Sequence, residues 1–310
     1  MLVKSNPEFG IELALSVPYA YHLHKRGKLK TVITSKGMKP FYYFCDDVRE
    51  EFQSRTIDNA AAGLNELPNN WIHGIKPIDE PGVLNYDEWE VPPYREYYEN
   101  EEFKFDGRPI VFITNKYNLE HGHKPYGYFD IKCLYDIFVI LIEAGYEVIY
   151  KRPENTEFVI DQNEMGSVMR NLDIRSSVDG IGEISDRDLP KYFDNVHLFD
   201  DLIDKYSYNE TQMKLMANSD YFITQSGGNA ILSCLWDRPV ITYITQGAEL
   251  RPGYFNENSY FQQISNQKCI PVFDIIGEIN TNPYDHKLNN TGKNDYLGLI
   301  KVIKDTIKEV

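Results

Sequence analysis

The stretch from Asn218 to Glu249, NSDYFITQSGGNAILSCLWDRPVITYITQGAE, constrains this chain more than any other: it reads as strand, glycine turn, helix, strand and a polar loop closed by a carboxylate. Tyr221-Phe222-Ile223-Thr224 is a β-branched and aromatic run of the kind that fits a buried strand. Gln225-Ser226-Gly227-Gly228-Asn229 follows. Two adjacent glycines let the backbone turn tightly with no Cβ in the way, so amide groups can face a ligand. Ala230 to Trp236 then starts a helix, whose first amides lack intrahelical partners and suit an anion such as a phosphate. Pro239 to Ile244 supplies the next strand, with Gln246-Gly247-Ala248-Glu249 just beyond it. A sheet wound from such units binds ligands outside the carboxyl ends of its strands, so both loops face one crevice. A carboxylate one unit past a phosphate turn is placed to accept hydrogen bonds from a ribose. The bland alternative is a plain βα turn and a solvated glutamate. The pairing of the two at this spacing favours a nucleotide site.

The same punctuation recurs along the chain. Met1 to Ser5 reads as a first strand, followed by the turn Asn6-Pro7-Glu8-Phe9-Gly10 and a helical stretch from Ile11 to Lys25 that Pro18 kinks or restarts. Thr31 to Thr34 and Phe41 to Phe44 read as strands two and three, with Cys45-Asp46-Asp47 at the mouth of the latter. From Glu51 to Tyr98 the pattern breaks up, and Pro92-Pro93 with the acidic run Glu99 to Glu102 reads as an interdomain connection. Further on, Ile110 to Thr114 is a strand ending in Asn115-Lys116-Tyr117. Asp130 caps a helix through Ala144 that Gly145 closes, and Glu147 to Tyr150 is a strand that delivers Lys151-Arg152-Pro153. Val196 to Phe199 is another strand, Asn209 to Ala217 a helix, and Ser259 to Ile264, Ile270 to Phe273 and Tyr296 to Val310 are helix, strand and closing helix. Repeated βα units on both sides of Asp106 imply an α/β chain of two domains with parallel sheets. The boundaries fall at residues 1–105 and 106–310, with the last helix a candidate to pack back on the first domain.

Composition narrows the partners. A net charge of -15 argues against a nucleic-acid backbone or an anionic membrane as the main partner. Cys45, Cys133, Cys234 and Cys269 sit in apolar settings with no CxxC pair and read as reduced thiols of a cytoplasmic protein. The most apolar run, Ile137 to Ala144, is too short to span a bilayer.

Several residues could carry chemistry. Lys151-Arg152 and Asn115-Lys116 both follow strands and converge on the end of the sheet where Gly227-Gly228 lies; a diphosphate there needs cations, and Arg binds phosphate oxygens in a fork. Asp186-Arg187-Asp188 is a DxD triplet, yet it sits in a polar loop and reads as turn chemistry rather than a metal site. His22 and His24 face apart on a helix, and His121 and His123, in a glycine-containing loop, are better placed to touch substrate than to chelate. No GxSxG, HExxH, Walker or GxGxxG pattern is present.

Asn6 to Leu13 with Val17 to Tyr21, then Asn115-Lys116-Tyr117, Ile149 to Pro153, Ala217-Asn218 with Tyr221 to Ile223, Gln225-x-Gly227-Gly228 and Gly247-x-Glu249 occur in this order, and together they resemble a group of glycosyltransferase-like proteins found in large DNA viruses and in bacterial surface-polysaccharide loci. The chain departs from that group at Ile11, where an acid would be expected, and at Ser226, which separates Gln225 from the glycines. The resemblance implies the GT-B fold: two Rossmann-like domains facing across a cleft, the first taking the acceptor and the second the nucleotide sugar. It implies a metal-independent glycosyltransferase in which a UDP- or GDP-sugar is co-substrate and a glycan is the acceptor. For a virus-encoded protein the location would be the host cytoplasm. Asn115, Lys116, Lys151, Arg152, Gln225, Ser226, Gly227, Gly228, Asn229 and Glu249 would then bind the donor. Glu12 and Glu8, with Asp47 and His73 behind them, are the candidates to take the acceptor proton. A nucleotide-sugar 2-epimerase on the same plan, and a non-catalytic glycan- or nucleotide-binding protein, are the alternatives.

Overall fold

The computed structural model describes residues 1–56, 61–63, 67–68, 88–117, 127–152, 173–178, 180, 182–245, 248–250, 253–257, 259–274 and 296–310. Its N-terminal part is a parallel sheet of three strands, β1 (Leu2–Lys4), β2 (Thr31–Ser35) and β3 (Val48–Phe52). Between β1 and β2 the chain is helical: α1 (Phe9–Ile11), a π-helical turn (Glu12–Ser16) and α2 (Val17–Lys25). The π turn widens the helix just ahead of Pro18 and α2 takes the proline in its first turn, where a missing amide is tolerated.

The third strand is not where the aromatic run suggested. Phe41 and Tyr42 belong to a 3-10 turn (Lys39–Tyr42) with Pro40 near its start, and both rings are fully buried. Strand β3 is instead the charged segment VREEF, half-buried on one face and exposed on the other. An edge strand of that kind owes its place to pairing with β2, and its residues carry little strand propensity.

A second parallel sheet follows: β4 (Ile110–Thr114), β5 (Glu147–Lys151), β8 (Val196–Leu198), β9 (Tyr221–Gln225), β10 (Val240–Ile244) and β11 (Cys269–Phe273), in spatial order β11-β10-β9-β4-β5-β8. Four of these strands, β4, β5, β9 and β10, are buried along nearly their whole length with apolar centres, because both faces are covered. A small antiparallel ribbon, β6 (Arg175–Val178) with β7 (Gly182–Ser185), lies in the stretch that reads as irregular from sequence.

Alternate residues of the larger sheet feed two cores. Val111, Ile113, Val148, Tyr150, Ile223 and Ile241 pack with α4 (Ile131–Glu143) and α8 (Leu297–Thr306). Asp130 caps α4 by accepting from the Cys133 amide at 2.8 Å. Helix α8, a candidate to return to the N-terminal part, packs instead on β10, β11 and α4. Its apolar stripe at Leu299, Ile303 and Ile307 belongs to this core.

The opposite face, Ile110, Phe112, Ile149, Phe222 and Val240, is continuous with the core under the smaller sheet. Its other lining comes from α5 (Tyr208–Asn218), α6 (Gly228–Cys234) and α7 (Tyr260–Ile264). The connection between the sheets is packed into that core too. Helix α3 (Tyr94–Tyr98) sends the Tyr94 hydroxyl to the Phe41 carbonyl at 2.9 Å and lays the ring 5.7 Å from Trp236, while Asn218 donates to the Asn100 carbonyl at 2.8 Å. Trp236 is 1% exposed where these parts meet. Trp236→Ala should therefore cost about 3–5 kcal/mol in guanidinium unfolding followed by circular dichroism; a cost below about 1 kcal/mol would show that the two sheets do not share this core.

Candidate functional site

From β4 the chain winds through β5 to β8, then crosses back to β9 and winds the other way through β10 to β11. The connections diverge between β4 and β9, and a doubly wound sheet opens its ligand crevice at the carboxyl ends of just such a pair. Asn115 and Lys116 leave β4 at that point, and Gln225 ends β9 beside them. The Gln225 side chain ties the two strands together: its Oε1 accepts from the Lys116 amide at 2.8 Å and its Nε2 donates to Asn115 Oδ1 at 2.5 Å. Asn115, fully buried, donates to the Tyr150 hydroxyl at 3.0 Å and to the Phe129 carbonyl at 2.9 Å. Tyr150 donates to Asp186 Oδ2 at 2.6 Å, and Asp186 is ion-paired with Arg152. Burial and the Asp186 carboxylate push the Tyr150 phenol well above its ordinary range, so it remains a donor. The result is one buried polar chain running under the crevice from Lys116 to Arg152.

The glycine turn sits on this base. Gly227 adopts φ 112°, a backbone conformation that only glycine takes without strain, and the Lys116 ammonium lies 4.0 Å from where a Cβ on Gly227 would stand. Ser226, Gly227, Gly228 and Asn229 are all partly exposed at the crevice, and no acceptor for the Gly228 or Asn229 amide occurs among the described residues. Gly228 lies against the other sheet's first turn: a Cβ there would stand in ordinary contact, 3.5 Å from the Gly10 amide and 3.4 Å from Phe9. On Gly10 a Cβ would fall 3.2 Å from Gly228 Cα and 2.9 Å from Ile231. The first turn of the small sheet thus presses directly on the glycine turn of the large one.

Lys151 and Arg152 stand at the crevice end of β5, but their charged groups are turned inward. Arg152 is 2% exposed, and its guanidinium serves Asp186 rather than an open face. Removing it would strand a buried carboxylate, a loss felt in folding first. Lys151 is 4% exposed; it donates to Gln212 on α5 and lies 5.2 Å from the Tyr208 ring and 5.7 Å from the Phe199 ring. Burial pulls its ammonium down to about 7, with Asp200 opposing the fall.

The carboxylates divide in the same way. Glu12 is fully buried in the π turn, where it accepts from Thr34 and, at 3.0 Å, from the Tyr42 hydroxyl, and pairs with Arg55 at 2.7 Å. Arg55 also donates to the Pro7 carbonyl at 2.6 Å, so this pair braces the Asn6–Gly10 turn. Glu8 is exposed at the cap of α1, two residues before Gly10. Asp47 precedes β3 beside Thr31, at the amino end of the small sheet, where Arg49 and Thr31 hold it. That placement, a consequence of the displaced third strand, puts Asp47 at the wrong end for the crevice. His73, His121 and His123 lie outside the described residues. Glu249, half-buried in a 3-10 turn (Ala248–Leu250) past β10, stands one strand along from the glycine turn.

The DxD triplet is resolved by its partners. Asp186 faces Arg152 and Tyr150, whereas Asp188 accepts from Ser185 and pairs with Lys191 at 2.7 Å. Among the described residues no group of three His, Cys, Asp or Glu side chains could hold a metal ion, and no helix is long and apolar enough to cross a membrane. Asp186, Gln212, Arg55 and Gly10 escape sequence reasoning as site residues. The alternation Glu183-Ile184-Ser185 ahead of Asp186 is the one local sign that a strand delivers it.

No protein-family model matches the chain, and no curated protein does. Among solved structures it is similar to the ADP-heptose lipopolysaccharide heptosyltransferase II of E. coli, at 10% identity and TM-score 0.49 over 97% of both chains. A glycosyl transferase of family 9 from Veillonella parvula is similar at 11% identity and TM-score 0.46, over 88% of this chain and 85% of the other. The dodecameric iron-containing heptosyltransferase TibC in complex with ADP-D-beta-D-heptose is similar at 12% identity and TM-score 0.47, over 96% of this chain and 70% of that one. These are likenesses of overall course at TM-scores below one half.

The buried lysine sets a pH signature. Its folded-state value near 7 lies below the unfolded value of 10.5, so between those limits the unfolded chain binds more protons and stability rises with pH. Lys151→Met should flatten that rise and be the more stable protein at pH 6, in melting curves compared pairwise from pH 6 to 10. An unchanged slope would place the ammonium in water.

Proposed function

We propose that the chain is a glycosyltransferase that moves a sugar from a nucleotide-sugar donor to a glycan acceptor without a bound metal, with the donor in the crevice of the larger sheet and the acceptor on the side of the smaller one, as in a GT-B enzyme. The observation that carries this reading is the pairing of Lys116 with the Gly227 turn at the point where the sheet's connections diverge, locked in place through Gln225.

Helix α6 has seven residues, so its dipole is a minor aid and the cation carries most of the charge opposite a diphosphate. Lys116 and the amides of the glycine turn meet the phosphate oxygens, and Glu249 meets the ribose. Arg152, Asp186, Tyr150 and Asn115 act from beneath by fixing Gln225 and the Lys116 backbone; Lys151 braces α5. In the transfer step the acceptor hydroxyl oxygen forms a bond to the anomeric carbon, and the bond from that carbon to the donor phosphate breaks. The nucleoside diphosphate leaves with its new charge opposite Lys116, the kind of preorganised stabilisation that weighs most in such reactions. Glu8 takes the acceptor proton: it is exposed on the turn that presses against Gly228, while Glu12, buried and paired, holds that turn rigid.

Ligand binding raises apparent stability by mass action, so the donor can be found by melting the protein against ADP-, UDP-, GDP-, dTDP- and CMP-sugars. One class should raise the melting temperature, and Lys116→Gln should weaken its affinity about tenfold or more, matching the loss of one charge-assisted contact. The absence of any shift, or a full shift in the variant, would remove the donor from this crevice. With the donor known, transfer assayed in EDTA should persist in the wild type and fall in Glu8→Gln by about a hundredfold or more in kcat, with donor affinity retained. Turnover of the donor with no acceptor present would identify an epimerase instead.

A further inference from the structure

The larger sheet has a second polar opening, at its other end. A cavity of about 510 Å³ lies where β4, β9 and β10 begin, walled on one side by α3 and the segment that joins the two sheets. That volume is in the range of small-molecule sites. Its lining holds four cationic side chains, Arg95, Lys104, Arg108 and Arg238, against two carboxylates, Glu99 and Asp220. Lys104 is paired with Glu101 at 2.6 Å and Arg108 with Glu147 at 3.1 Å, which leaves Arg95 and Arg238 as the cations at the centre.

The centre of the cavity is unbalanced. Arg95 and Arg238 each approach the same oxygen of Asp220, and both stop at 3.9 Å, too far for a hydrogen bond. The other oxygen of Asp220 accepts from the Ile110 amide at 3.2 Å, which holds the carboxylate down on the strand ends as a floor. Arg95 is anchored by the Ser219 carbonyl at 3.1 Å, and Arg238 reaches the Asp237 carbonyl at 3.5 Å. Two guanidiniums therefore share one carboxylate that neither reaches, with Glu99 and Asp237 acting on Arg95 from further off. Burial, and after it the neighbouring Arg238 charge, lower Arg95 below its ordinary value. The wall beside them is aromatic: Tyr146 and Tyr221 meet edge to face at 5.9 Å.

We propose that this cavity is a binding site for a phosphorylated small molecule, separate from the crevice at the carboxyl ends. The phosphate would be held between Arg95 and Arg238, with its carrier against the two tyrosines. Arginine forks suit phosphate oxygens, and an oxyanion between the two guanidiniums completes the hydrogen bonding that Asp220 at 3.9 Å does not supply. The site joins the connecting helix α3 to the first residues of β9 and β10, so an occupant would link the two parts of the fold at the end opposite the chemistry.

The probe is inorganic pyrophosphate, titrated into the full chain carrying Lys116→Gln so that the crevice does not contribute. Melting temperature and intrinsic fluorescence are the readouts. We expect saturable binding that weakens steeply with added salt and falls at least tenfold when Arg238→Gln is added. Arg95→Gln should do the same. Among the described residues Arg238 hydrogen-bonds only its neighbour's carbonyl, so if Arg95→Gln fails to fold the Arg238 variant decides alone. Binding that survives Arg238→Gln unchanged overturns the proposal. So does loss of all pyrophosphate binding in Lys116→Gln itself, which would place every phosphate in the crevice, and so does the absence of binding at millimolar pyrophosphate.

Discussion

The ion pair between Arg152 and Asp186 is the interaction on which the crevice depends. Neither side chain reaches water, so the pair gains its stability only if the remaining lone pairs and protons are satisfied. On the carboxylate side this is done by extension: Asp186 takes the Tyr150 hydroxyl and the Ile174 amide at 3.0 Å, Tyr150 takes Asn115, and Asn115 takes Gln225. Each member is held by the next, and the last two positions are the ends of the adjacent strands β4 and β9. A half-satisfied network of this kind would be worse than an apolar core. The backbone of Lys116 is therefore as fixed as the sheet itself, which is what the role proposed for it opposite a leaving diphosphate requires.

A second constraint comes from the smaller sheet. Its turn at Asn6–Gly10 would have little reason to hold one shape, being short and followed by a three-residue helical turn. Glu12 and Arg55 supply the reason. Buried together with Thr34 and Tyr42, they tie the Pro7 carbonyl, the end of β2 and the aromatic 3-10 turn into one block. That block brings Gly10 against Gly228 with no side chain between. The restriction falls on Gly10, where a Cβ would come 3.2 Å from Gly228 Cα and 2.9 Å from Ile231, so the absence of a side chain there lets the two sheets meet at this point.

Much of the architecture is legible in the sequence because the larger sheet is built from long apolar strands with polar ends, and because Asp130, Gly145 and the glycine pair punctuate its units. The position of the crevice follows from the order of those units. What is illegible is direction. Lys151 and Arg152 follow a strand as phosphate ligands would, yet Lys151 continues the face of Ile149 into the shared core, and Arg152 finds a carboxylate that lies 34 positions away in sequence. Asp186 looked like turn chemistry because the ribbon that delivers it, β6 with β7, is made of exposed polar residues. Phe41 to Phe44 has the composition of a strand and is a turn, because Pro40 and the burial of two successive rings favour a helical bend; Asp47 was misplaced with it. Pairwise long-range contacts decide all of these, and a local pattern carries none of them.

The charge of the whole molecule looks unfavourable for an enzyme with a nucleotide-sugar substrate, since -15 repels an anionic donor at a distance. Range decides the matter. At physiological ionic strength the field of exposed charges decays over about 8 Å, so carboxylates scattered over the surface beyond that distance contribute little at the crevice. The Lys116 ammonium, 4.0 Å from where a Cβ on Gly227 would stand, acts within that length, in a setting partly shielded from water. The global charge then bears on solubility and on the rate of encounter, and the local cation bears on binding. The neighbouring lysine shows the opposite solution. Lys151 is so far buried that its proton is held weakly near pH 7, which makes it a poor permanent counter-charge and a good packing element between β5 and α5. Successive strand ends of one sheet thus carry the same residue type to two different depths, half-buried at Lys116 and buried at Lys151.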